Sequence, residues 1–237
     1  MNATDSEKVI CAACGAPSDQ MVVTTHASTG TSNDEPDLDT RPGPPVRSTL
    51  SSWIQQCPHC GYAADQVGKI VEGVHEIVTG EHYRTLAQDP GFPSQARPFL
   101  CYSYILEQLR ALPDAGWCAL HAAWMCDDLN QSQQARECRA LAIELWREGK
   151  VLGSGFMDSH AEEFAVAADL LRRIGEFEHA RLACNAALDG KEDGPALPAD
   201  IEALLRFQLV LIASADVGAH TLQQVPAPPA GGQRLVP

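Results

Sequence analysis

The spacing of apolar positions changes near residue 65, and that change divides the chain. Upstream, apolar residues are sparse and come in short runs. Gln20-Met-Val-Val-Thr-Thr25 is brief and β-branched, the pattern of a strand, whereas residues 1–10 carry no clear period and are expected to form an irregular lead-in. Residues 27–36 are dense in Ser, Thr, Gly, Asn and Asp, and 37–45 adds prolines, so both belong to one long loop. Asp37, Asp39 and Arg41 within it are placed for a salt-bridged turn. A second strand is expected over Val46–Gln56, carrying Trp53 and Ile54 into Cys57.

Downstream the period becomes helical. Val67, Ile70, Val71, Val74, Ile77 and Val78, then Tyr83 and Leu86, predict a helix over about 66–88 that stops before Asp89-Pro-Gly-Phe-Pro93. A wide stripe from Phe99 through Ile105 and Leu109 to Leu112 predicts a core-facing helix that ends at Pro113. Trp117, Leu120, His121, Trp124 and Met125 line the next, and Ala135, Leu141, Ala142 and Leu145 the one after, reaching Trp146. Three glycines between 149 and 155 predict a loop. Ser159-His-Ala-Glu162 has the form of a capping box at the start of a further helix. That helix runs to Gly175, and its partner carries Phe177, Ala180, Cys184, Ala187 and Leu188. After Gly194-Pro195 a last helix covers about 200–213. The stretch 225–237 lacks core-forming residues and is expected to be disordered.

Four cysteines then give the N-terminal part a reason to fold. Cys11-Ala-Ala-Cys14 and Cys57-Pro-His-Cys60 are each followed by glycine, Gly15 and Gly61. A Cys-x-x-Cys turn points two thiolates at one ion, and the glycine supplies the positive φ that such a turn needs. Two facing turns make a tetrahedral four-sulfur site, the closed geometry of structural Zn2+. A rubredoxin-like iron site uses the same motif and stands as the alternative. A dithiol redox centre calls for a helix N-terminus beside the pair, and neither pair clearly has one. Catalytic zinc needs an open position, which four thiolates do not leave. His59, inside the second turn, is expected to face outward, and nothing in the spacing asks for His26 as a ligand.

Residues 161–188 resemble a tetratricopeptide (TPR) repeat. Ala168, Ala180 and Ala187 fall where two helices approach closely, and Gly175-Glu-Phe177 occupies the turn. A weaker copy spans Trp117–Trp124 and Ala135–Ala142. In such a repeat the first helix lines the concave face, which makes Glu162, Asp169, Arg172 and Arg173 partner-groove candidates; the simpler account is a solvated polar face.

Composition narrows the choice further. The formal net charge is −14, which argues against a general nucleic-acid binder, because phosphate contacts need clustered Lys and Arg. It suits solubility and a basic partner, although a solvated acidic surface is the simpler account. Nine cysteines cannot all pair within one chain, so the Cys-x-x-Cys pairs point to metal in a reducing compartment. Cys101, Cys118, Cys126, Cys138 and Cys184 lie in helical patterns and are expected to be small buried apolar residues. No signal peptide or membrane-spanning run is evident, which places the chain in the cytoplasm. No Gly-rich phosphate loop, nucleophile elbow or His-Glu-x-x-His occurs, and His75, Glu76, His160, Glu162 and Glu163 are ordinary helix-surface groups.

Cys11-x-x-Cys-Gly15 followed by Trp53-x-x-x-Cys-Pro-x-Cys-Gly-Tyr-Ala-Ala64 resembles an uncharacterised bacterial domain-of-unknown-function family. That family has an N-terminal zinc ribbon and a TPR-like helical C-terminal region. The stretch Ala165-x-x-Ala-Asp-Leu-Leu-Arg-Arg-Ile-Gly-Glu-Phe-Glu-His-Ala180 is similar to its second signature. The resemblance implies architecture and no assigned activity. The expected fold is therefore α+β: a zinc ribbon of a few short antiparallel strands over 1–65 and a connecting helix and linker over 66–96. A TPR-like α-helical array over 97–224 and a disordered tail over 225–237 complete it. The expected function is that of a non-enzymatic zinc-binding scaffold or adaptor for another protein or peptide, with iron-based electron transfer as the alternative.

Overall fold

The computed structural model describes residues 4–23, 36–44, 46–190 and 197–227. The Thr24–Thr25 end of the predicted strand, the loop over 27–35, His26, the Gly194-Pro195 break and the tail from 228 lie outside the described residues. The class is α+β, with short antiparallel strands near the N-terminus and helices after them. The described residues fall into two compact units, one within 1–34 and 42–156, the other within 35–41 and 157–237.

In the first unit each Cys-x-x-Cys turn closes a two-stranded hairpin. Strand β1 (Thr4–Ile10) pairs antiparallel with β2 (Pro17–Val23), bringing Ile10 opposite Pro17 across the first turn. Strands β3 (Gln55–Gln56) and β4 (Ala63–Ala64) pair the same way across the second. Two expectations are corrected here. Residues 4–10 form a strand although most of the side chains described in it are exposed, so no alternation marks them. Residues 46–52 form a 3-10 helix, leaving only Gln55–Gln56 as strand before Cys57.

The single helix expected over 66–88 is two. Residues 66–72 are turns and irregular chain, then α1 (Val74–Thr79) and α2 (Glu81–Gln88) meet at Gly80. Gly73 precedes α1 with a φ of 76°, a conformation costly for other residues. Val67 is fully buried outside any helix, and its carbonyl accepts the Ala12 N–H at 2.8 Å. One hydrophobic cluster joins Cys11, Cys57, Tyr62 and Val67 to Val74, Val78, Tyr83, Cys101 and Ile105, so helices pack directly on the cysteine turns.

Beyond these lie α3 (Arg97–Gln108), α4 (Leu112–Asp128) and α5 (Ser132–Val151). His121 on α4 sits among Trp53, Phe99, Trp117 and Trp124, with ring centroids 4.7–6.2 Å away. Gly149 lies inside α5 rather than in the expected loop, because it is buried close to Leu112.

The second unit contains α6 (His160–Ile174), α7 (Phe177–Asp189) and α8 (Ala199–Ala213). Ser159 takes the N-cap position of α6 without a side-chain cap bond, so the expected capping box does not form. Glu163, one position beyond the expected Glu162, accepts the Met157 N–H instead. At the other end Gly175 (φ 88°) ends α6 by donating to the Arg172 carbonyl, while Glu176 N–H donates to Leu171, a Schellman closure. Ala168, Ala180, Cys184 and Ala187 are buried in the α6–α7 hairpin. Residues 36–38 run against 220–222, joined by Leu38 N–H to the His220 carbonyl and Leu222 N–H to the Pro36 carbonyl.

Candidate metal centre

Both cysteine turns have the same backbone. Gly15 N–H donates to the Cys11 carbonyl at 2.8 Å and Cys11 N–H to the Ala16 carbonyl at 3.0 Å. Gly61 N–H donates to Cys57 at 2.9 Å and Cys57 N–H to Tyr62 at 2.8 Å. Gly15 and Gly61 carry φ values of 72° and 78°. The shared Cys-x-x-Cys-Gly sequence goes with this shared geometry, which turns both sulfurs of each pair to one side.

The two turns face each other. Cys11 Sγ lies 3.7 Å from Cys60 Sγ, and Cys14 Sγ 3.7 Å from Cys57 Sγ. All four sulfurs lie within 4.8 Å of one another. A tetrahedron of sulfurs about 2.3 Å from a central ion has edges of about 3.8 Å, so the cage fits such an ion. The spacing is nearly twice the roughly 2.05 Å of a disulfide, and all nine cysteines are free thiols. The four cysteines could hold a metal ion, and sulfur geometry alone does not separate zinc from iron.

Electrostatics points the same way. Burial pushes the Cys11 thiol up, against the Cys14 and Ala13 N–H groups that favour its thiolate. Burial likewise raises Cys60, against the Tyr62 N–H. Cys57 moves down: burial opposes ionisation, but the Cys60 and His59 N–H groups and the neighbouring thiols outweigh it. Backbone donors are thus aimed at the sulfurs, while four adjacent thiolates with no cation would repel one another. A metal cation between them would remove that conflict.

Several supports escaped the sequence reading. Tyr83 on α2 is 1% exposed; its hydroxyl donates to the Gly61 carbonyl at 2.9 Å and accepts the Ala63 N–H at 3.0 Å. It clamps the second turn from behind. Gln20 Nε2 donates to the Gln56 carbonyl at 3.1 Å, tying β2 to β3. His75 Nδ1 lies 2.9 Å from the Ala13 carbonyl, beside the first turn. Only the spacing of Tyr83 within an apolar stripe hinted at any of these. His59 is exposed, with Nε2 3.3 Å from the Pro17 carbonyl.

The four groove candidates are not brought together as a surface. Asp169, Arg172 and Arg173 are buried, at 1%, 0% and 8% exposure, while Glu162 is half-buried. Arg172 pairs with Asp169 at 2.6 Å and donates to the Asp216 carbonyl at 2.7 Å. Arg173 pairs with Asp39 at 3.0 Å. Burial pushes the Asp169 carboxyl up against the pull of Arg172. Asp37 and Arg41 form the expected salt-bridged turn, 3.9 Å apart, with Arg41 N–H donating to Asp39. These charges hold the second unit together from inside, which removes three of the four candidates from any groove. The five remaining cysteines are buried, as expected.

No family model, no curated protein and no solved structure matches this chain. Among the described residues no helix is long and apolar enough to cross a membrane.

Proposed function

We propose that this chain is a non-enzymatic, zinc-stapled interaction protein, a scaffold or adaptor whose helical part binds another protein or peptide. The observation that carries it is the convergence of four sulfurs within 4.8 Å of one another. Four thiolates complete a tetrahedron and leave no position for water or substrate, which suits a structural ion. Zinc in such sites contributes on the order of 10–16 kcal/mol of apparent binding free energy, enough to hold two short hairpins. Cys11, Cys14, Cys57 and Cys60 hold the ion, in a cytoplasm that keeps the remaining thiols reduced.

Support for the helical half is the α6–α7 hairpin, with small buried residues at its close approach and Gly175 at its turn. That hairpin supports a TPR-like reading, and with it the family that has a zinc ribbon before a TPR-like region. A partner is favoured to be basic, since the chain carries a net charge of −14.

Elemental analysis of protein purified without added metal tests the first half. About one zinc per chain in a colourless sample is expected; iron with visible thiolate absorption would instead make the chain an electron carrier. Affinity capture with the intact chain tests the second half, and recovery of no protein above the bead control would count against the scaffold.

A further inference from the structure

Within the second unit, α6, α8, residues Pro36–Thr40 and the segment Leu222–Ala227 enclose an open cavity of about 400 Å³. Its volume lies in the range of about 300–1,000 Å³ usual for ligand sites. Apolar side chains dominate its wall, among them Leu38, Ala165, Val166, Ile201 and Leu204. Among the described residues the charged ones lining it are Asp37, Glu162 and Asp200, with no Lys or Arg. Asp37 is paired with Arg41, whereas Asp200 is exposed and Glu162 half-exposed. An apolar wall with an exclusively acidic charged lining selects its occupant by charge: an acidic or neutral apolar ligand gains nothing from Asp200 and Glu162, and a cationic one does.

We propose that this cavity docks a short segment of a partner protein in which an aliphatic pair stands next to Arg or Lys. The aliphatic side chains enter the cavity and the cation meets Asp200 and Glu162. Because the cavity is open to solvent, an extended chain can continue past it, as a free small amine would not need to. The proposal rests on the interaction reading above and names the chemistry of the partner. Of the four groove candidates, Glu162 alone lines this cavity.

The test uses the intact chain and fluorescence polarisation with three labelled hexapeptides. One carries a Leu-Val pair followed by two arginines, the second replaces the arginines by glutamates, and the third replaces Leu-Val by two serines. Saturable binding of the first is expected, about tenfold or more tighter than either control, and weakening as salt screens the exposed charges. Asp200→Lys reverses an exposed charge and should weaken binding about three- to tenfold without disturbing the fold. Ala203→Trp, on the cavity wall, should abolish it. Equal binding of all three peptides, indifference to Asp200→Lys, or no saturation by about 1 mM would each overturn the proposal. A cellular partner that the intact chain retains equally well with either substitution would overturn the cavity alone; absence of both partner and peptide binding would overturn the interaction reading as well.

Discussion

Replacing Tyr83 by Phe removes one oxygen and keeps the ring that packs in the core. That oxygen serves two backbone groups of the second cysteine turn: it donates to Gly61 and accepts from Ala63. Gly61 retains a second donor, Gln56 Nε2 at 3.2 Å, so its carbonyl is not stranded. Ala63 is fully buried, and its N–H loses the acceptor it has in Tyr83. An unsatisfied buried donor costs about 1–3 kcal/mol, so the first unit should lose about 2 kcal/mol. Burial pushes the Tyr83 hydroxyl well above its ordinary value, so the proton it donates is present throughout the usual pH range. The loss should also reach any metal ion the four cysteines hold, because groups that orient ligands typically change affinity about 10- to 100-fold. Urea denaturation followed by tryptophan fluorescence, with and without a chelator, reads the first effect, and competition with a chromophoric chelator reads the second. Thr85→Ala on the exposed face of α2 is the control. A Tyr83→Phe protein with unchanged midpoint and unchanged metal retention would refute the clamp.

Three further substitutions probe the helical parts. A Cβ on Gly116 would overlap the Trp146 indole, which donates to Pro113 at 3.1 Å and stacks on Phe156 with centroids 3.9 Å apart. Gly116→Ala should therefore destabilise by about 1–3 kcal/mol despite better helix propensity, and thermal melting should show the shift reduced in a Trp146→Phe background. Arg173→Leu takes from the buried Asp39 carboxylate the guanidinium 3.0 Å away and should cost about 3–5 kcal/mol, of which the double change Arg173→Leu with Asp39→Leu restores a large part in denaturation. Asp216 sits below the usual carboxylate range because Gly218 N–H donates to it, with His220 and Arg172 adding to the effect. Its stabilisation is present above the unfolded value near about 3.9 and is lost as pH falls through the lower folded value. Asp216→Asn should thus be less stable than the parent at pH 7, and denaturant midpoints should converge as acid is added.

What could be read in advance was whatever the chain settles locally. Two Cys-x-x-Cys pairs, each followed by a glycine that can take positive φ, signal two like turns, so both cysteine turns, their glycines and the four-sulfur cluster were legible from ten residues. Helices with a steady apolar stripe were legible too, and so was the Gly175 turn. Helix ends were harder, since α3, α4 and α8 close on left-handed Arg110, Asn130 and Ala215, none of them the glycine that marks such ends. Strand β1 hid because its ladder shows mainly polar, exposed side chains, and the 3-10 helix at 46–52 because Val46 and Leu50 resemble a strand in isolation.

The buried arginines were beyond local reasoning altogether. On α6 alone, Arg172 and Arg173 look like the solvated end of a helix, where cations suit the dipole. Arg173 turns inward because its carboxylate partner, Asp39, arrives from 134 positions away, and neither charge could be buried without the other. The same pairing bears on the surface. Arg41, Arg139, Arg172 and Arg173 are all buried and engaged with carboxylates, so the excess of acid over base is carried by an exterior with fewer cations than the sequence suggests. On the docking proposal, an exterior of that kind would repel acidic chains and, beside an apolar cavity whose described charged lining is Asp37, Glu162 and Asp200, would draw a basic one to the place where its aliphatic neighbours can be buried.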